Sequence, residues 1–182
     1  VGPYFKGGFK STPFMLSRKY DRAAPLGTGN IKVGGNYAAS MTATVESHDM
    51  GYSNVFYLDP KEKRYIDECG AANFFAIKGN AYLTPRSNSI LPSITNRSLI
   101  TLAEDMGMRI ERRPISVDEL GHFDECGACG TAAVISPVSK IVDIENDITY
   151  VFGDGNPGPK STELYNRLRA IQLGEAEDKF GW

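Results

Sequence analysis

A lysine flanked by glycines is the first group in this sequence that could carry chemistry. Lys32 lies between Gly29 and the pair Gly34 and Gly35, just ahead of a segment with helical spacing. Glycine permits strained backbone dihedrals and a close approach to a ligand, because it has no Cβ. A lysine amine that is desolvated and fixed there could form a Schiff base with a carbonyl compound. The alternative is an ordinary solvated lysine in a loop.

Two adjacent acids form the second candidate. Asp67 and Glu68 lie in a short segment that is predicted to be a strand. Regular strand alternation would point them to opposite faces, so only one of the two can serve a given site. The alternative is a pair of solvated acids in a hairpin.

Two further segments could bind an anion. Ile94 and Thr95 stand at the predicted start of a helix, where unpaired N–H groups and the helix dipole favour negative charge. Thr131, directly after Gly130, offers a hydroxyl and a backbone N–H from a tight turn. An ordinary first helical turn and an ordinary strand entry are the alternatives.

The pair Cys126 and Cys129 has the spacing of a redox or zinc-ligand motif. A structural zinc site needs about four ligands, and no second pair with this spacing is present. The motif also leads into an apolar segment instead of opening a helix, as a thioredoxin-like motif would. We therefore expect the two cysteines to pack in the core and expect no metal site.

The elements that must position these residues follow from hydrophobic spacing. Ala38, Met41 and Val45 recur at helical intervals and predict a helix that ends at Gly51. A second helix is predicted between Ser93 as its N-cap and Gly107 after its end, with an apolar stripe of Leu99, Leu102, Ala103 and Met106. A third is predicted over residues 160–172, which follow two prolines.

Short β-branched and aromatic runs predict the strands. An antiparallel meander is expected over residues 54–59, 64–67, 73–78 and 81–84. Further strands are expected over residues 108–113, 123–125, 132–136 (central in the sheet) and 148–152 (at an edge). The predicted class is α+β or mixed α/β with a barrel-like sheet. Residues 1–30 are dense in glycine and proline and are predicted to be an extended lead-in and loop.

Composition limits the possible functions. The chain has 182 residues with 20 Lys and Arg against 22 Asp and Glu, which gives no electrostatic bias toward nucleic acid. No apolar run approaches the roughly 20 residues that span a bilayer. Three cysteines form an odd and sparse set that favours a reducing cytoplasm over a secreted disulfide framework. Because Val1 is neither an initiator Met nor part of a signal peptide, we expect a chain that has already been cut.

Four motifs occur in order along almost the whole chain: Lys32-Val-Gly-Gly-Asn-Tyr37, Asp67-Glu-Cys-Gly-Ala-Ala-Asn-Phe-Phe75, Ser89-Ile-Leu-Pro-Ser-Ile-Thr95 and Gly130-Thr-Ala-Ala133. Together they resemble the branched-chain amino-acid aminotransferases, in the class IV group of pyridoxal-phosphate enzymes. The resemblance is to the larger, C-terminal domain of that family. It implies a barrel-like, mostly antiparallel sheet flanked by helices. It further implies a pyridoxal-phosphate-binding domain over residues 31–182, an interdomain lead-in over 1–30, and a small N-terminal domain that this chain does not include.

The resemblance also implies roles for individual residues. Lys32 would hold pyridoxal 5′-phosphate as an internal aldimine and then shuttle the substrate proton, since a released amine is a good general base. Tyr37 would donate a hydrogen bond to the phenolic oxygen of the cofactor. Glu68 would pair with the pyridinium nitrogen. The phosphate would be held by Ile94, Thr95, Gly130 and Thr131, and the substrate carboxylate by Thr131 and Ala132.

The activity implied is transfer of an amino group between Leu, Ile or Val and 2-oxoglutarate by a homodimer or larger homo-oligomer in the cytoplasm. Two alternatives remain open. The chain could be a catalytically incomplete fragment that binds the cofactor or dimerises. It could also be a related class IV enzyme, a D-amino-acid aminotransferase or an aminodeoxychorismate lyase. The Gly-Gly-Asn-Tyr segment after Lys32 is the branched-chain form of the motif.

Overall fold

The computed structural model describes residues 9–182, so the first eight residues of the predicted lead-in and the Val1 start lie outside the described part. Within this described range the helices are α1 (Gly34–Asp49), α2 (Ile94–Asp105) and α3 (Pro159–Gln172). The strands in the same range are β1 (Thr12–Ser17), β2 (Asn54–Leu58), β3 (Ile66–Cys69), β4 (Ala72–Lys78), β5 (Ala81–Pro85), β6 (Arg109–Arg113), β7 (Glu125–Gly130), β8 (Val134–Asp143) and β9 (Ile148–Val151). A short 3₁₀ helix covers Val117–His122.

Six strands close into a barrel in the order β3-β2-β1-β8-β7-β4, because β4 pairs back onto β3. Strands β5 and β6 continue the sheet from β4, and β9 pairs with β8 at an edge. The pairings of β1 with β2 and β8 and of β5 with β6 are parallel, and the others are antiparallel. The barrel-like, mostly antiparallel sheet and the meander from β2 to β5 are therefore confirmed.

The hydrophobic core has three parts. Side chains from all six barrel strands fill the interior, with Phe14, Phe56 and Phe74 fully buried. A second cluster lies between the sheet and helices α2 and α3, around Leu99 and Leu164. A small third cluster lies under α1. The alternating faces of the strands thus supply both the interior and the helix-facing layer.

The prediction that residues 1–30 lack regular structure is wrong at Thr12–Ser17, which forms β1. This strand pairs with β2 on one side and β8 on the other. It contributes Phe14 and Leu16 to the barrel interior. The glycines and prolines in and around this six-residue strand made its sequence look irregular. Its formation depends on two partner strands that lie far away in sequence.

Strand bounds were also mispredicted. The strand expected at 64–67 runs over Ile66–Cys69, and the one expected at 123–125 runs over Glu125–Gly130. Strand β7 carries the segment Cys126 to Cys129, which has low β propensity but is paired on both sides, with β4 and β8. The strand expected at 132–136 starts at Val134 and extends to Asp143, because β1 and β9 pair along its second half.

All three predicted helices are confirmed, and Ser93 caps α2 by accepting a hydrogen bond from the N–H of Asn96. Helix α1 differs from the other two in how it packs. Its regularly spaced Met41 and Val45 are 64% and 57% exposed, while its buried residues are Ala43 and Ser47. The apolar spacing of α1 therefore lies on its outward face. No helix within residues 9–182 is long and apolar enough to cross a bilayer.

Candidate active site

Lys32 and Tyr37 meet at the start of α1. The Lys32 amine lies 3.0 Å from the Tyr37 hydroxyl, which stands in the first turn of the helix. Asn36 fastens the preceding loop, because its amide donates to the carbonyls of Thr28 and Ile31, each at 2.8 Å. The Asn of the Gly-Gly-Asn-Tyr segment thus holds the backbone that presents Lys32.

Glu68 lies on an irregular part of β3. Two residue steps along β2 match three along β3, so a β-bulge falls between Ile66 and Cys69. Both of these residues belong to the barrel interior cluster, although they are three positions apart. The bulge therefore interrupts regular alternation at the segment that carries Asp67 and Glu68. Both acids are buried.

Three donors surround the Glu68 carboxylate. Its Oε1 accepts from the N–H of Leu91 at 2.7 Å and from the Asn73 amide at 3.2 Å. Its Oε2 lies 3.3 Å from Nη1 of Arg22, and both side chains are almost fully buried. Asn73 also donates to the carbonyl of Leu91, which ties the loop before α2 to the carboxylate.

The electrostatic balance at Glu68 is dominated by burial, which raises the pKa of its carboxyl to about 7. The charge of Arg22, the N–H of Leu91 and the charge of Lys32 act in the opposite direction, whereas Asp67 raises the pKa further. Burial likewise raises the pKa of Asp67. A carboxyl group of this kind changes its protonation near neutral pH.

One open cleft brings several of these groups together. The lining includes Lys32, Tyr37 and Glu68 of the predicted site, together with Arg22 and Asn36. Asp67 does not line it, so of the two acids only Glu68 reaches the cleft. Lys32 and Tyr37 are exposed at its mouth, whereas Glu68 is buried at its base.

The predicted phosphate-binding residues do not line this cleft but lie on segments beside it. Helix α2 begins three residues after Leu91, with Ile94 exposed and Thr95 buried. The N-cap Ser93 binds the N–H of Asn96, and helix geometry leaves those of Ile94 and Thr95 without an intrahelical acceptor.

Gly130 and Thr131 lead from β7 into the turn before β8. Gly130 lies beside Ala72 of β4, which follows a residue that lines the cleft. Thr131 and Ala132 are exposed in this turn. Val134, where β8 begins, has a φ of +56°. That value is a strained conformation for a β-branched residue and indicates that the surrounding structure holds the turn.

Cys126 and Cys129 lie on β7 and pack in different places. Cys126 belongs to the barrel interior and Cys129 to the cluster under α2 and α3. Both thiols are free and buried, as is Cys69, and burial raises the pKa of each thiol. The expected packing role is therefore confirmed. Among the described residues no group of three or more His, Cys, Asp or Glu is placed to hold a metal ion.

Sequence reasoning missed Arg22 and Asn73. Arg22 lies in the stretch that was predicted to be a loop, and nothing in its neighbours indicates burial. Asn73 lies between apolar residues of β4, and a lone polar residue in an apolar strand is a usable signal for a buried hydrogen-bonding role.

Comparisons with known proteins identify the family. The Amino-transferase class IV family model matches residues 10–141. The branched-chain-amino-acid aminotransferase of Helicobacter pylori is 48% identical over 185 residues, covering 100% of this chain and 53% of that protein. The enzyme of the same name from Haemophilus influenzae is 46% identical over 190 residues, covering 100% of this chain and 54% of that protein.

Solved structures agree with the sequence relatives. The Escherichia coli branched-chain amino acid aminotransferase superposes with a TM-score of 0.88 at 31% identity, covering 100% of this chain and 58% of that one. The Thermobaculum terrenum enzyme of the same name, in its PLP-bound holo form, gives a TM-score of 0.80 at 28% identity, covering 91% and 52%.

The chain spans about half the length of the curated relatives it matches. These shares give the length of each match and not its position, so the assignment to the C-terminal domain stays a prediction. The family match, by contrast, extends over most of the sequence, from just before β1 into β8. On this evidence the chain belongs to the class IV aminotransferases.

Proposed function

We propose that this chain is the cofactor-bearing part of a branched-chain amino-acid aminotransferase. It would bind pyridoxal 5′-phosphate and transfer amino groups between Leu, Ile or Val and 2-oxoglutarate. The observation that carries the proposal is the cleft in which the Lys32 amine lies 3.0 Å from the Tyr37 hydroxyl, above the buried carboxylate of Glu68.

The residues present fit pyridoxal phosphate on their own chemistry. The cofactor needs an amine for its aldehyde, a donor for its phenolic oxygen and an anion for its ring nitrogen. Lys32, Tyr37 and Glu68 supply these three groups, and all three line the same cleft. The Oε2 atom of Glu68 pairs with Arg22, and a carboxylate oxygen can accept a further hydrogen bond.

Each residue has a defined task in this proposal. When bound, pyridoxal phosphate supplies a carbonyl carbon for the amine and a conjugated ring that accepts the electrons released when the substrate Cα loses its proton. The Lys32 amine takes and returns that proton as general base and acid. Tyr37 orients the amine through their shared hydrogen bond. Glu68, in its ionised form, supplies a negative charge at the base of the cleft.

For the phosphate we propose the first turn of α2, at Ile94 and Thr95, and the β7–β8 turn at Gly130 and Thr131. We assign the substrate carboxylate to Thr131 and Ala132. The unpaired N–H groups of a helix start and of a tight turn favour these anions. The placement of both segments next to residues that border the cleft supports the assignment.

The proposed substrate class rests on the names of the relatives. Proteins that are 40–48% identical to this chain across its full length are named branched-chain-amino-acid aminotransferases. Two solved structures of one relative are complexes with N-(5′-phosphopyridoxyl)-L-glutamate and with 4-methylvaleric acid, whose carbon chain resembles that of leucine. These names favour the branched-chain activity over that of a D-amino-acid aminotransferase or an aminodeoxychorismate lyase.

A second candidate function is a cofactor-binding fragment without full turnover. The chain covers about half of each relative's length, and Lys32, Tyr37, Thr131 and Ala132 are all exposed. Closing such a site against water and orienting the substrate needs further protein surface. We propose that a small N-terminal domain supplies this surface and that residues 31–182 form the large domain.

We also propose a homodimer or larger homo-oligomer in the cytoplasm. The exposed row of Tyr37, Met41 and Val45 on α1 begins at the cleft and offers an apolar surface for a partner subunit. The three buried free thiols favour a reducing compartment. Light scattering of the purified protein would give the subunit number.

Trapping with borohydride tests the proposed function. The protein is incubated with pyridoxal phosphate, reduced and digested, and the labelled peptide is mapped by mass spectrometry. We expect the label on Lys32 and its loss in Lys32→Ala, with Lys140→Ala on the distant strand β8 as the matched control. Absence of label in the wild type, or label on another lysine, contradicts the assignment.

Half-transamination distinguishes the two candidates. L-leucine is added to the loaded protein, and conversion of the cofactor to pyridoxamine phosphate is measured by chromatography. Conversion supports the aminotransferase, and D-alanine serves as the control substrate for the D-specific alternative. Labelling of Lys32 without any conversion supports the fragment.

A further inference from the structure

No sequence motif singled out Arg22, and we infer that it is a positioning residue that favours the charged form of the Glu68 carboxylate and directs it into the cleft. It does so while joining the segment before Lys32 to the segment before α2. The functional value of this arrangement rests on the proposed function, whereas the physical effect on Glu68 does not.

Arg22 is a buried cation whose two terminal nitrogens, Nη1 and Nη2, have partners. Only 7% of its side chain is exposed, and Nη1 lies 3.3 Å from Oε2 of Glu68. Nη2 donates to the carbonyls of Gly29, at 3.3 Å, and of Ser89. A buried arginine costs solvation free energy, which is recovered only if its charge is paired and its N–H groups are bonded. The charge of Arg22 is paired and its Nη2 is bonded, whereas its buried Nε has no hydrogen-bond partner within residues 9–182.

The surrounding backbone is shaped around this contact. A Cβ at Gly29 would collide with the Ser89 carbonyl and with the side chain of Ala23. Glycine at this position therefore lets the loop that carries Lys32 lie directly against the loop that leads to α2. Arg22 bonds both of these loops and Glu68 at once, which the planar guanidinium can do and a lysine amine cannot do with the same geometry.

Several other titratable groups lie near Arg22 and Glu68, and they influence the protonation state of the Glu68 carboxyl. Asp67 next to Glu68 on β3 opposes ionisation of the carboxyl, and Lys32 across the cleft favours it. Burial raises the pKa of Tyr57 on β2, and the charge of Arg22 acts in the opposite direction. The Cys69 and Cys129 thiols lie near Glu68.

Burial alone pushes Glu68 toward its neutral form, and among the opposing influences that of Arg22 is the largest. Removing it should leave Glu68 protonated at neutral pH. A neutral carboxyl could not serve as the anion for a pyridinium nitrogen. Arg22 would thus act on the proposed chemistry through Glu68 without touching the reacting atoms.

The test is a carboxyl titration in the cofactor-free protein. Glutamate labelled with ¹³C at the side-chain carboxyl is incorporated, and the Glu68 resonance is identified by its loss in Glu68→Gln. In Arg22→Met we expect the pKa of Glu68 to rise by at least one unit, a tenfold change in its ionisation constant. Arg22→Lys should give a smaller rise, because the charge is kept and the fork is lost.

Arg18→Lys is the matched control. Arg18 lies in the segment that follows β1 and pairs with the buried carboxylate of Asp143 at 2.8 Å, while also bonding the Lys63 carbonyl. Its replacement should leave the titration of Glu68 unchanged. The inference is wrong if the pKa of Glu68 in Arg22→Met lies within about 0.3 of its wild-type value, which is roughly the measurement error.

Arg22→Met could fail to fold at some of the pH values that the titration needs. In that case the stability of the double variant Arg22→Met/Glu68→Gln provides the test. Removing both charges avoids leaving one buried charge unpaired. At about pH 9, where Glu68 of Arg22→Met would be charged and unpaired, we expect urea unfolding to show the double variant to be more stable than Arg22→Met alone. Equal instability would mean that Arg22 acts only by bonding the carbonyls of Gly29 and Ser89, which contradicts the inference.

The two proposals fail in different ways. If borohydride does not label Lys32 in the wild type, the proposed function is refuted, and the Glu68 titration still tests the task of Arg22. If Lys32 is labelled normally but the pKa of Glu68 is unchanged in Arg22→Met, only the task assigned to Arg22 is refuted.

Discussion

Glu68 illustrates how its neighbours set the state of one side chain. The family resemblance implied that Glu68 would face a ring nitrogen, but the sequence contains no indication that Arg22, Asn73 and the N–H of Leu91 would surround it. Burial and these partners together place its pKa at about 7.

The first prediction concerns pH and stability. A pKa of about 7 for folded Glu68, against 4.5 ordinarily, means that the native state binds this proton more tightly than the unfolded chain does. The stabilisation from this proton is complete below the unfolded pKa and is lost as the pH rises to the folded pKa. The loss is about 3 kcal/mol, an order-of-magnitude figure from about 1.4 kcal/mol per pKa unit.

Urea unfolding of the cofactor-free protein between pH 4 and pH 8, compared with Glu68→Gln, measures this effect. The difference between the two unfolding free energies should change steadily across the window in which Glu68 titrates. A constant difference over that window would show that the carboxyl has an ordinary pKa.

The second prediction concerns the thiols. Because Cys69, Cys126 and Cys129 are buried and burial raises the pKa of each, we expect negligible reaction with a thiol reagent in the native state. All three should react after unfolding in urea. Rapid labelling of a native thiol, or a disulfide between Cys126 and Cys129 after mild oxidation, would contradict their packing on β7.

At the scale of elements, α3 shows a helix start capped from a distant strand. Its N-cap residue, Gly158, offers no side-chain acceptor. The buried carboxylate of Glu125 on β7 accepts instead from the N–H groups of Lys160, at 3.0 Å, and Ser161, at 2.8 Å. A Cβ at residue 158 would collide with that carboxylate, so the glycine makes room for the cap.

The third prediction follows from this cap. Glu125→Ala should lower the free energy of unfolding by about 2 kcal/mol, because two charge-assisted hydrogen bonds at a helix start are lost. Glu163→Ala is the control, since Glu163 lies on the same helix and forms an exposed ion pair with Arg167. That change should stay within about 0.5 kcal/mol. Equal effects of the two substitutions in urea unfolding would contradict the capping role.

At the scale of the whole molecule, β1 joins the two halves of the barrel. It lies between β2 and β8 in the sheet, and along the chain the strands β3 to β7 come between these two. A strand in this position buries its side chains on both faces, and the last four residues of β1 are all buried. The segment ahead of Lys32 is thereby part of the same core as the site.

The fourth prediction tests this position of β1. Phe14→Ala should cost about 3–5 kcal/mol of unfolding free energy, because Phe14 is fully buried in the barrel interior. Leu26→Ala, later in the same predicted lead-in and 92% exposed, is the matched control and should change stability by less than about 0.5 kcal/mol. Similar midpoints for the two variants in urea would show that β1 does not contribute to the core.

Helices and meander strands were predictable because their signals are local. Ser93 and Gly107 mark the ends of α2, and the short aromatic runs mark β2, β4 and β5. Strands β1 and β7 were missed or displaced because their stability comes from partners on both sides, and not from their own residues. The β-bulge in β3 was hidden for the same reason, since register depends on the paired strand.

The sequence by itself determined the chemical groups of the site and their order, because the types and spacing of Lys32, Tyr37 and Glu68 are local properties of the chain. Only the tertiary structure decided that these three line one cleft and that Glu68 is buried beside Arg22. It also decided which face of α1 is exposed. The physical reason is that burial and charge pairing depend on the distances between segments that are far apart in sequence, and closure of the barrel sets those distances.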